Sequence, residues 1–291
     1  MDQAKELRSL IGNRQNLNLK KNINARVITI SSGKGGVGKS SFSVNLAIYL
    51  ASLKNRVLII DADFGLANVE VLLGIRPKYN FYNMLKGEKN ISEIVVDTEY
   101  GIKFISGGNG LKELSNINNT EIRYFIEQFE YLDEIADIII IDTGAGISSS
   151  VTNFLMASDE SIIVTTPEPT SFTDAYTLIK IMKEQNKSID KLNVVINKAD
   201  DEYEADRTFA KIAYVCNKFL GISIQNMGYI PLDADIIKAV KQQKPAIVSF
   251  PKSDFSKSIE LIGNRLLNRS SVENNTGIKS FMQKLMNVFN K

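Results

Sequence analysis

A doubly wound α/β fold, with a mostly parallel sheet and helices on both faces, is predicted by three features of the 291-residue sequence. Short β-branched runs recur at RVITIS (26), RVLIID (56), GIKFIS (101), DIIIID (137), SIIVTT (161), LNVVIN (192) and MGYIP (227). These runs are apolar on both faces, as strands covered on both sides must be. Amphipathic stretches separate them, with helices expected at 38–53, 120–133, 147–157, 171–185, 203–220, 232–242 and 254–268. Strands alternating with helical patterns build a parallel sheet.

Composition narrows the function classes. With 44% apolar and 23% charged residues, the chain is globular and long enough for one large α/β domain. It has no apolar run of the ~18 residues that a membrane span needs. Its N-terminus, MDQAKELRSLIGNRQNLNLKK, lacks the apolar stretch of a secretory signal, so a cytoplasmic location is expected. The single cysteine, Cys216, excludes an intrachain disulfide and reads as a small buried hydrophobe. The absence of histidine removes the usual general base and the commonest zinc ligand. A net charge of +2 gives no argument for specific nucleic-acid binding.

Between the first strand and first helix, Gly33, Lys34, Gly35, Gly36, Val37, Gly38, Lys39 and Ser40 satisfy G-x-x-x-x-G-K-[ST] in its required context. Glycines let backbone N–H groups converge on phosphates, and the helix N-terminus adds its positive end. Lys39 is placed to reach the β/γ phosphates, Ser40 to offer a hydroxyl to Mg²⁺, and Ser41 to follow on the same turn. A nucleotide's phosphates and Mg²⁺ are the expected ligands.

The string KGGVGKS resembles the deviant Walker A motif of the MinD/ParA family of P-loop NTPases. The resemblance implies an ATP-sandwiched homodimer with slow, dimer-dependent hydrolysis, in which Lys34 crosses to the partner's nucleotide. A cation there would stabilise transition-state charge as an arginine finger does. The segment DADFGLAN looks like the family's switch I. By that match Asp63 positions the attacking water, Asp61 supports the Mg²⁺ shell and Asn68 helps order the switch. IIIIDTGAGI resembles Walker B and switch II, with Asp142 acting on Mg²⁺ and Gly144 where the family often has proline, a departure expected to loosen the switch. Taken singly, an aspartate ending a strand is usually a helix cap or turn former. By the same resemblance Asn197, Pro231 and Asp233 border the base, and Glu168 touches nucleotide across the dimer. Asn197-Lys198-Ala199-Asp200 also has the NKxD spacing of a guanine site, a four-residue pattern that recurs easily by chance.

The expected organisation is an N-terminal extension (1–25), an ATPase domain (26–268), a polar linker (269–277) and a terminal helix (278–291). At about 100° per residue, Ile278, Phe281, Met282, Leu285, Met286, Val288 and Phe289 fall on one arc of about 160°. With Lys279, Lys284 and Lys291 opposite and no acid in 276–291, the helix has the composition of one attracted to anionic lipid. A terminal helix docked on the protein's own core would carry the same pattern.

Asp2, Gln3, Ala4, Leu7 and Arg8 resemble the DQAxxLR motif of the FlhG (YlxH) family, MinD-like ATPases of flagellar placement and number. That resemblance implies a helix docking on the GTPase FlhF, with Gln3 aiding GTP hydrolysis. It also implies flagellar C-ring switch components as partners on the exposed helices beyond 171, and reversible attachment to the inner face of the cell membrane. An unstructured tail is the plainer reading of the same residues. The competing readings are a MinD-type division-site ATPase, a ParA-like partition ATPase and a nucleotide-gated adaptor with negligible turnover.

Overall fold

The structure is a computed structural model and describes residues 24–63, 68–108, 119–185, 192–268 and 276–289, without the side chains of 119–123, 125 and 287–289. The motif at Asp2 to Arg8 and the linker at 269–275 lie outside the described residues. The chain order is β1 (Arg26–Ser32), α1 (Lys39–Ser52), β2 (Val57–Ala62), α2 (Asn68–Leu73), α3 (Phe81–Leu85), α4 (Ile91–Ile94), β3 (Val96–Asp97) and β4 (Lys103–Ser106). It continues through α5 (Asn119–Ile135), β5 (Ile138–Ala145), α6 (Ser149–Ala157), β6 (Glu160–Thr165), α7 (Pro169–Gln185), β7 (Leu192–Ala199) and α8 (Glu202–Val215). A π-turn at Cys216–Leu220 leads to β8 (Gln225–Pro231), α9 (Ala234–Lys241), α10 (Ala246–Ser249), α11 (Asp254–Asn268) and α12 (Gly277–Phe289).

The strands form one sheet in the order β3-β4-β2-β5-β1-β6-β7-β8, parallel except for the short edge pair β3–β4. Every position of β1 and β2 is buried because both faces are covered. On one face Ile28, Ile30, Ile59 and Ile140 pack under α1 and α11. On the other, Val27, Leu58, Ile139 and Ile141 meet α5, α6 and α12, while Ile163, Val194 and Ile196 lie under α7 and α8. The chain leaves central β1 toward β2 and later returns to β6 on its other side. Open parallel sheets bind ligands at such a reversal, beyond the carboxyl ends of the strands.

Helix α12 turns its apolar arc inward. Ile278, Phe281, Met282, Leu285 and Met286 are at most 2% exposed. Phe281 stacks on Phe154 of α6, with ring centroids 6.1 Å apart, and Lys279 pairs with Glu130 of α5. The face expected to be open to lipid is therefore covered by the protein's own core, because the same 3.6-residue periodicity suits either apolar environment. Phe289 ends the helix with its side chain outside the described residues. No helix among the described residues is long and apolar enough to cross a membrane.

Docking of α12 has a measurable energetic signature. Leu285→Ala should lower the free energy of urea unfolding by about 2–4 kcal/mol, the cost of a cavity in a packed core. A helix projecting into solvent would show a change within about 0.5 kcal/mol.

Candidate nucleotide site

The loop from β1 into α1 lies at the strand reversal. Gly36 and Gly38 have φ of 79° and 89°, left-handed values that L side chains rarely adopt. Gly33 is required by space instead: a Cβ there would lie 2.4 Å from the backbone carbonyl carbon of Asp174 in α7. Gly38 caps α1 without a side-chain hydrogen bond, and the first turn carries no acid. The orphan N–H groups and positive end of α1 are thus open to an anion.

Beneath the loop sits a closed polar cluster. Lys39 Nζ lies 3.0 Å from Asp142 Oδ2, with the two side chains 6% and 0% exposed. Ser40 Oγ donates to the same oxygen at 2.7 Å, and Ser43 Oγ donates to Oδ1 at 2.6 Å. Ser43, three residues beyond Ser40 on α1, was missed by motif reading; its signal is that helical spacing. Asp61 pairs in register with Asp142 on the adjoining strand. Burial, and secondarily the charge of Asp142, push the Asp61 carboxyl up to about 7, against N–H groups of Asp63 (3.0 Å) and Val69 (3.3 Å) that favour its ionised form. A hydroxyl at a helix start above two buried carboxylates is a hard, oxygen-donor set that suits Mg²⁺.

A cleft of about 750 Å³ opens above this cluster, lined by Gly35 to Ser41, Asp63, Asn68, Asn197, Pro231 and Asp233 among others. Its far wall is apolar, with Val71, Leu72, Ile236, Ile237 and Val240, none of which the sequence reading singled out. Asn68 Nδ2 donates to Asp63 Oδ2 at 3.3 Å. Asp63 also faces Gly144, where a Cβ would sit 3.6 Å from its Oδ1. Gly144 lies inside β5, where the pairing of β5 with β1 shifts register; beyond it Ala145 pairs with Ser32, and the Gly146 N–H donates to Ser32 O at 2.9 Å.

Three of the side chains singled out by the resemblance are engaged within the chain. Lys34 does not project outward; its Nζ binds Glu168 Oε2 at 3.0 Å and Thr170 Oγ1 at 2.8 Å within the same chain. An ion pair as exposed as this one contributes at most about 1 kcal/mol, so it exchanges readily. Asn197 Nδ2 donates to Val37 O at 2.6 Å while its Oδ1 accepts the Lys198 N–H, and Lys198 Nζ donates to Gly36 O at 2.8 Å. This pair fastens the phosphate loop to β7. Asp233 is a helix cap, accepting from Asp235 N–H at 2.8 Å and Phe255 N–H at 3.0 Å, so its carboxylate is already engaged.

The raised Asp61 pKa gives a pH dependence with a defined sign. The folded chain binds this proton more tightly than the unfolded one, whose carboxyl has the ordinary value of 3.8. The stability so contributed is present below about pH 4 and lost as pH rises through about 7. Asp61→Asn should therefore raise the melting temperature of nucleotide-free protein more at about pH 8 than at about pH 5. An equal effect at both values would contradict the buried, raised carboxyl.

A family model described as ParA, NUBPL iron-transfer P-loop NTPase, matches residues 23–267. The antiactivator FleN of Pseudomonas aeruginosa is 35% identical over 241 residues, covering 83% of this chain and 86% of that protein. The flagellum site-determining protein YlxH of Helicobacter pylori is 35% identical over 271 residues, covering 90% of each. Among solved structures, the MinC:MinD cell division protein complex of Aquifex aeolicus superposes with a TM-score of 0.69 at 26% identity, over 85% of this chain and 98% of the other. The chain belongs to the MinD/ParA family of P-loop NTPases, on the FlhG type that FleN and YlxH represent.

Proposed function

We propose that this chain is an ATPase that dimerises around Mg²⁺-bound ATP, attaches reversibly to the cell membrane from the cytoplasmic side, and regulates flagellar placement and number. The carrying observation is the Lys39–Ser40–Asp142 cluster beneath the glycine loop, with a second lysine, Lys34, held at its lip by an exchangeable ion pair. In this reading Lys39 and the loop amides hold the phosphates, while Ser40, Asp142 and Asp61 hold the metal, which screens phosphate charge. Asp63, kept in the cleft by Asn68, orients water. Lys34 leaves Glu168 for the nucleotide of the second subunit, adding positive charge where the transferring phosphoryl develops negative charge.

The flagellar role rests on the likeness to FleN and YlxH along most of the chain. It predicts that the Gln3 segment stimulates FlhF. A partner surface for C-ring components is offered by α8 and its π-turn, where Tyr203, Tyr214 and Phe219 are 61–69% exposed and Arg207 and Lys218 lie over their rings. Membrane attachment requires α12 to leave its bed. Each buried apolar side chain contributes roughly 1.5–3 kcal/mol, so the helix is released only where lipid takes the same arc. A dimer presenting two such helices gains from avidity.

Phosphate release measured against protein concentration tests the dimeric site. Activity per chain should rise with concentration and fall at least about a hundredfold in Lys34→Ala, while ATP affinity stays within about threefold. Full turnover by that variant would mean that Lys34 remains on Glu168 and that hydrolysis does not need it.

A further inference from the structure

The first residues of β1 and the first turn of α12 meet at two carboxylates. Asp133, near the end of α5, accepts on a single oxygen the backbone N–H of Ala25 at 2.9 Å and that of Ile278 at 3.1 Å. Asp159, just before β6, accepts the Val27 N–H at 2.9 Å on one oxygen. On the other it accepts the N–H and hydroxyl of Thr276 at 3.1 and 2.6 Å. Each carboxylate thus holds both ends of the described chain. Gly277 is confined between them: a Cβ there would lie 3.0 Å from both Asn24 Cβ and Asp133 Oδ2, and its φ is 77°.

We propose that Asp133 and Asp159 form a clasp that makes the docking of α12 and the anchoring of Ala25 and Val27 one cooperative event. Hydrogen bonds to charged acceptors are stronger than neutral ones, and a half-buried carboxylate stripped of donors must find water instead. When α12 leaves, Asp133 loses Ile278 and Asp159 loses both groups of Thr276. Burial, with a smaller contribution from the Asp159 charge, already holds the Asp133 carboxyl above its usual range, and the Ile278, Ala25 and Lys279 amides offset this. Both side chains then turn toward solvent, which draws them off Ala25 and Val27. Coupling of this kind is reciprocal. A partner that pulls on the chain at Ala25 eases release of the C-terminal helix, and release of the helix loosens Ala25 and Val27. The inference rests on these contacts alone and holds whichever nucleotide fills the cleft.

Hydrogen–deuterium exchange on the full chain tests it with two variants. Leu285→Glu drives α12 from its apolar bed without touching the clasp, and Asp159→Asn weakens the clasp without touching the bed. Leu285→Glu should speed exchange of the Ala25 and Val27 amides about tenfold, the loss of one hydrogen bond to a charged acceptor. Asp159→Asn should speed exchange at both Val27 and 278–286, with the amides of β5 and β7 as controls for intact folding. If Leu285→Glu unfolds the chain globally, the second variant decides alone. Fast exchange of α12 with unchanged protection at Ala25 and Val27 would overturn the proposal, as would an Asp159→Asn effect confined to one end.

Discussion

Asp142 is a fully buried carboxylate at the end of the central strand pair, and the site is assembled around its two oxygens. One takes Lys39 and Ser40, the other Ser43, so the glycine loop, the first turn of α1 and β5 are joined through one side chain. A buried charge in this position is tolerated because Lys39, Ser40 and Ser43 all donate to it. Asp61 in the next strand has its own carboxyl pushed up, by burial first and by the charge of Asp142 second. Two carboxylates buried side by side repel each other, a repulsion that a divalent cation would relieve.

The Asn197–Lys198 pair extends the same logic to the rim of the cleft. Binding two carbonyls of the glycine loop fixes the loop's height above β7. Lys198 adopts a φ of 58° to do so, a strained value for a side-chain-bearing residue. Neither NKxD spacing nor family pattern alone conveys that the loop has first claim on these side chains.

Much of this was legible in the sequence. The seven β-branched runs became strands of the sheet, because apolarity on both faces has few other outcomes in a parallel fold. The glycine loop was readable since its spacing and context are both demanded by phosphate. Short α2, α3, α4 and α10 were not anticipated. They are only 4–6 residues long, too short for periodicity to show, and α3 and α4 are fixed instead by local capping boxes such as the reciprocal Asn80–Asn83 pair. The orientation of α12 was not legible either. An amphipathic arc states that something apolar must cover it, and only the positions of Phe81, Phe129 and Phe154 reveal that the protein's own core does. Lys34 was legible as a special residue but not in its resting partner, since Glu168 lies 134 positions away in the chain.

The most direct measurement is the affinity of Asp142→Asn for labelled ATP with and without Mg²⁺, alongside the parent chain. If Asp142 is the joint between phosphate loop and metal, the parent should bind ATP more tightly with Mg²⁺, and the variant should bind with an affinity that Mg²⁺ no longer improves. An unchanged Mg²⁺ enhancement in the variant would contradict the site as described.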